Sequence, residues 1–180
     1  MSSEKYVKLP QPHELSEREK EDATGAYLMM FAALATSLPL PIINLIAATV
    51  YYYVNWKKGR FIHFHCLQSL LSQLPTTLVN WGLLYWTLQI FFFDNLEKND
   101  WFYSYLGFAI LANLIYFIFS IIAAMRARKG IFMYFFFFGG YSYHRAYSAS
   151  NRLIYDNEEN QNIKTEKLNT PPFQWIRRYS

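Results

Sequence analysis

Three stretches of this chain carry no charged side chain: Ala23 to Trp56, Phe61 to Phe93 and Trp101 to Met125, of 34, 33 and 25 residues. Uncharged apolar runs of that length predict membrane helices, because soluble domains do not sustain them. The runs also carry internal punctuation. Ser37-Leu38-Pro39-Leu40-Pro41 breaks the first, since two prolines remove two backbone donors and push the residue before each ring out of the helical region. Pro75 divides the second more gently, into Phe61 to Leu74 and Thr76 to Phe93. A helix spanning the whole second run would be about 50 Å long against a hydrocarbon core of about 30 Å, so part of it must lie outside, tilted or in protein. The predicted elements are helices at about 24–36, 42–56, 61–93 and 101–125, then an interfacial segment over 131–143. That last segment, IFMYFFFFGGYSY, is too short to cross, and its aromatics suit the headgroup boundary.

The expected fold class is therefore all-α: a polytopic integral membrane protein, a small four-helix bundle with a broken first hydrophobic segment and a long second helix. The membrane domain covers 23–143, between a polar N-terminal tail, 1–22, and a polar, largely disordered C-terminal tail, 144–180. Composition alone hides this, because each tail holds ten charges and the mean hydropathy comes out near zero. The end of the second tail, Phe173-Gln174-Trp175-Ile176-Arg177-Arg178, mixes rings with basic charge and suits anionic headgroups.

Charge then orients the spans. Lys57, Lys58 and Arg60 follow the first run and Arg126, Arg128 and Lys129 follow the third, whereas Asp94 to Asp100 between the second and third is acidic. The basic loops read as cytoplasmic, so the second run goes out and the third returns. The first run either crosses once with a kink or turns back at the prolines. The hairpin is the favoured reading, because the acidic, signal-free N-terminus then stays cytoplasmic with the C-terminus. The expected location is a bacterial inner membrane.

Candidate chemistry is concentrated at the start of the second run. On a helix, His65, Gln68, Ser69, Ser72, Gln73, Thr76 and Asn80 form a polar row, while Phe64, Leu67, Leu71, Leu74 and Leu78 form an apolar one. Such a row serves either hydrogen-bonded packing between helices or the lining of a hydrated groove, and packing is favoured. A metal site is not expected, because His63 and His65 project about 200° apart on a helix and no acid stands near. Cys66 is the only cysteine and allows no internal disulfide. The uncharged runs hold no acid, lysine or arginine, which argues against a proton-driven pump. No phosphate loop, HExxH or GxSxG is present. No cofactor, catalytic residue or nucleic-acid partner is expected. The partners are the lipid bilayer and helices of this or another membrane protein. The function read from the residues is a non-enzymatic assembly or scaffold subunit; a channel-like or translocation-related component and, less favoured, a membrane-embedded enzyme are the alternatives.

The order of a proline-containing apolar segment, Lys57-Lys58, the Arg60 to Leu70 stretch and Ala127-Arg128-Lys129-Gly130 resembles a small bacterial four-helix membrane family, domain of unknown function 4870. That family is similar to the channel-forming subunit of the chloroplast inner-envelope protein translocon. Phe64, His65 and Gln68 occupy its phenylalanine-histidine-glutamine hallmark. Cys66, where the family has a small residue, and the missing proline between Gly130 and Tyr134 depart from it. The resemblance implies a non-enzymatic four-helix protein with both termini cytoplasmic.

Overall fold

The computed structural model describes residues 7–32, 42–92 and 99–148. The proline break, loop residues 93–98 and the tail from Ala149 onward lie outside the described residues, and with them the expectations placed there. The described chain is all-α, with five helices: α1 Glu17–Leu28, continued by a 3-10 turn Met29–Phe31, then α2 Ile42–Asn55, α3 Arg60–Phe92, α4 Asp100–Arg128 and α5 Phe138–Tyr147. Among them α4 alone is long and apolar enough to cross a membrane, with a mean hydropathy of 2.3 over its most apolar window.

α1 begins at Glu17, well before the expected start near Thr24. The reason is a capping box: Ser16 Oγ accepts from the Glu19 N–H at 3.2 Å, and the Ser16 N–H donates to the Glu19 carboxylate at 2.8 Å. Loss of charge marks where a helix becomes buried, and the cap marks where it starts. Ala23, Ala26 and Tyr27 form the buried face of α1, which packs on both α3 and α4.

α2 runs antiparallel to α1. Near its end the Tyr51 hydroxyl donates to the Asp22 carbonyl at 2.9 Å, seated over Gly25, where a Cβ would collide with it. Its other end packs beside the 3-10 turn. The two halves of the first run thus lie side by side, and Lys58 reaches Asp22 at 3.0 Å where the run opens and closes.

α3 passes through Pro75 without a break. Ser72 and Thr76, on either side of the ring, donate their hydroxyls to the carbonyls of Ser69 and Gln73, adding bonds where proline withdraws one. The helix has two regimes. Every residue from Phe61 to Ser69 is buried, so its first turns have no outer face at all, whereas two faces were expected. From Leu74 onward an exposed apolar stripe appears at three- and four-residue spacing: Leu74, Leu78, Trp81, Tyr85 and Leu88. Over this second half α3 is hydrogen-bonded to α4. Asn80 and Asn113 exchange amide hydrogen bonds of 3.0 and 2.7 Å, and the Tyr105 hydroxyl donates to the Val79 carbonyl at 3.0 Å in the space left by Gly82.

α4 ends on Gly130, whose φ of +71° suits glycine, while the Gly130 and Ile131 N–H groups close the last turn on Ala127 and Arg126. Residues 131–135 then cross the first half of α3 as an extended strap and lead into α5. Where the sequence led to an interfacial segment over 131–143, Phe132, Phe135 and Tyr143 belong to the core, while Phe136, Phe137 and Tyr141 are exposed. The aromatics cover a polar helix whose backbone and side chains must be shielded.

Asn80 and Asn113 satisfy each other where the surrounding side chains are apolar. In a double-mutant cycle with leucine at both positions, their coupling is expected at about 1 kcal/mol in thermal unfolding of the detergent-solubilised protein. Independent, additive effects would show that the pair is incidental.

Candidate functional site

The first four turns of α3 place the polar row inside the protein. His65, Gln68, Ser69, Ser72 and Gln73 are all buried, while Thr76 and Asn80 are partly buried and further along. Gln68 is the centre of the arrangement. Its amide nitrogen donates to the Met133 carbonyl and to the Tyr27 hydroxyl, both at 2.8 Å, and its amide oxygen accepts from the Phe135 N–H at 3.1 Å. One side chain therefore ties α3 to both the strap and α1. Since Tyr27 accepts from Gln68, its own proton is directed at His65 Nδ1, 2.9 Å away. In that arrangement the proton of a neutral imidazole sits on Nε2, which has no hydrogen-bond partner among the described residues, and the ring packs among those of Phe61, Phe64 and Phe132. Ser69 adds a bond of 2.7 Å to the Ala26 carbonyl. Ser72 and Gln73 lie farther along, against Tyr116 and Ser120 of α4.

The row is consumed by packing rather than displayed. Among the described residues no carboxylate is hydrogen-bonded to His65, and Cys66 is buried, which pushes its thiol up and keeps it protonated. Among the described residues no three of His, Cys, Asp and Glu gather as metal ligands. His63 and His65 fall on different faces of the helix. His63 meets the Tyr52 hydroxyl at 3.3 Å and the ring of Trp56, while His65 faces Tyr27. Both rings lie in the sheathed turns, before the exposed apolar stripe begins at Leu74. Burial, helped by Arg145 and Arg60, holds His63 down to about 4, and burial alone holds His65 to about 3.

The other predicted positions divide. Lys57, Lys58, Arg126, Arg128 and Lys129 are exposed, at the end where α1 begins. Lys58 pairs with Asp22, and Arg128 pairs with Glu17 at 3.6 Å and Glu21 at 3.1 Å. Arg60 is a correction: grouped with the loop charges from sequence, it is 4% exposed and donates to the Ala146 carbonyl at 2.8 Å, holding α5 on α3. Sequence reasoning also passed over Tyr27, the partner of both His65 and Gln68. Its signal was available as the aromatic that follows Ala23 and Ala26 on one helical face.

The fold and the row define a helical protein with one membrane-length apolar helix and a polar core spent on holding its own elements together. The chain belongs to the MamF/MmsF family, the magnetosome magnetite crystal formation protein family, whose sequence profile matches residues 21–139. This match overturns the resemblance to domain of unknown function 4870 and to the translocon subunit. Phe64, His65 and Gln68 are the residues that a buried leading helix uses to pack, and three packing residues are too few to separate families. No curated protein and no solved structure matches the chain.

Two outcomes follow from this geometry. Replacing Gln68 with leucine strands the Tyr27 hydroxyl, the Met133 carbonyl and the Phe135 N–H together, and is expected to cost about 3 kcal/mol or more in unfolding free energy; a loss below about 1 kcal/mol would sink the central role of Gln68. Both histidines are depressed in the folded chain and titrate near 6.5 when released, so their stabilisation is complete above that pH and falls as pH drops toward 4. Melting temperature should fall between pH 7.5 and 5.5 by an amount that shrinks in His65→Gln, and an unchanged pH slope in that variant would rule out His65 as a source.

Proposed function

We propose that this chain is a non-enzymatic membrane scaffold subunit that takes part in magnetite crystal formation. The observation that carries the reading is the use of the polar row: His65, Gln68 and Ser69 are spent on α1 and the strap, while the outer surface of the α3–α4 pair is apolar. Family membership supplies the process in which the scaffold acts. A hydrated path along the row is disfavoured by the same packing, since His65, Gln68 and Ser69 are at most 1% exposed.

In this reading α4 and the second half of α3 cross the bilayer as an antiparallel pair. From Pro75 to Phe92 α3 measures about 27 Å, close to the thickness of a hydrocarbon core. The four-helix arrangement then consists of α1, α2, α3 and α4, with α5 outside it. The ion pairs Lys58–Asp22 and Arg128–Glu21 support placing the start of α1 and both basic loops on one side, which the positive-inside rule makes cytoplasmic. A cysteine at Lys57 should then react with an impermeant thiol reagent only after the cytoplasmic face is opened, and a cysteine at Asn99 should react from the other side; equal labelling from one side would overturn the topology.

The functional test is complementation of a magnetosome-forming bacterium that lacks its own copy. His65→Gln, which removes the imidazole but keeps a hydrogen-bonding side chain, is expected to accumulate in the membrane fraction and restore crystals of wild-type size in electron micrographs. Crystals that fail to mature despite normal accumulation would assign His65 a chemical role and end the scaffold reading.

A further inference from the structure

Beneath the strap, between α3 and α4, lies a groove of about 390 Å³. Pro75 and Thr76 form one wall, Phe108, Ala112 and Phe119 the other, and Phe135 and Phe136 border it from the strap. From Phe108 to Phe119 the groove follows about 16 Å of helix axis, so it is long and narrow. A volume of this size holds roughly a dozen methylenes, each of which fills about the 30 Å³ of a water molecule. A narrow channel lined almost wholly by apolar side chains suits a single hydrocarbon chain.

The upper end of the groove is polar. Ser72 and Tyr116 line it and also border the buried Gln73 and Ser120. The Tyr116 hydroxyl and the Gln73 amide behind it lie close together, yet among the described residues neither makes a hydrogen bond of ordinary geometry. Unpaired amide groups in apolar surroundings cost free energy unless a polar group reaches them. Two turns beyond Phe119, on the same face of α4, stands Arg126, about 10 Å nearer the cytoplasmic end. Arg126 is exposed and, unlike Arg128, forms no ion pair among the described residues.

We propose that this groove is a lipid site: it seats one acyl chain of an anionic phospholipid, whose ester carbonyl is met by the Tyr116 hydroxyl and whose phosphate is met by Arg126. The order apolar channel, hydrogen-bonding group and cation repeats the order chain, ester and phosphate along one lipid. The inference rests on the bilayer placement of α3 and α4 proposed above.

The test uses the full chain reconstituted in phosphatidylcholine vesicles containing a minor share of phosphatidylglycerol, then released in mild detergent for native mass spectrometry. Wild type is expected to retain one phospholipid, enriched in phosphatidylglycerol. Ala112→Trp fills the groove from its wall and Ile115→Trp from its half-exposed rim, and each is expected to lower lipid retention about tenfold. Arg126→Gln should keep the lipid but lose about fivefold of the preference for phosphatidylglycerol. Unchanged retention in tryptophan variants that remain helical and membrane-embedded overturns the site, and so does the loss of a dimer in those variants, which would make a second copy the occupant. Carbonate extraction of wild type separates the two levels. Protein that washes off overturns the bilayer placement, whereas embedded protein that retains no lipid overturns the groove alone.

Discussion

A helix buried on every side cannot leave its polar side chains to solvent, and that constraint organises this molecule. From Phe61 to Ser69 α3 has no exposed residue, yet it carries His65, Gln68 and Ser69. Each must find its partner on a neighbouring element, because an unpaired buried polar group costs more than a made bond returns. Gln68 settles most of the arrangement by using both donors and its acceptor on Tyr27, Met133 and Phe135. Once those bonds are made, α1 and the strap have little freedom left. Arg60 does the same for α5, at the first turn of the helix.

The same helix serves a second environment beyond Leu74. There the exposed side chains are apolar, and hydrogen bonds to α4 close polar groups on each other or on the backbone, as in Asn80–Asn113 and Tyr105–Val79. The change falls beside Pro75, where hydroxyls of Ser72 and Thr76 hold the backbone in helix. One continuous rod thus joins a hydrogen-bonded cap to an apolar pair.

Much of this was legible from the residues. Helices were legible from the uncharged runs, but the three- and four-residue spacing from His65 did not separate a buried from an exposed face, since every side chain from Phe61 to Ser69 is buried. The misreadings have one physical source, which is that burial is a property of the assembled chain. Arg60 looks like Lys57 and Lys58 in sequence, but lies under α5, where a carbonyl takes its guanidinium. Ile131 to Tyr143 looks like an aromatic belt, yet its rings shield the polar row from outside. Charge content also misplaced the start of α1, since the Ser16–Glu19 capping box begins the helix inside the charged stretch.

Sequence alone determined the helical class, the apolar lengths of α3 and α4, and the identity of the polar row, because hydrophobic periodicity and the absence of charge are local properties. It did not determine what the row meets. Tyr27, Met133 and Phe135 are separated from Gln68 by 41, 65 and 67 positions, and no local pattern encodes a hydrogen bond across such distances. Only the packed structure decided that these groups face one another, because only there does removal of water force each donor to choose an acceptor.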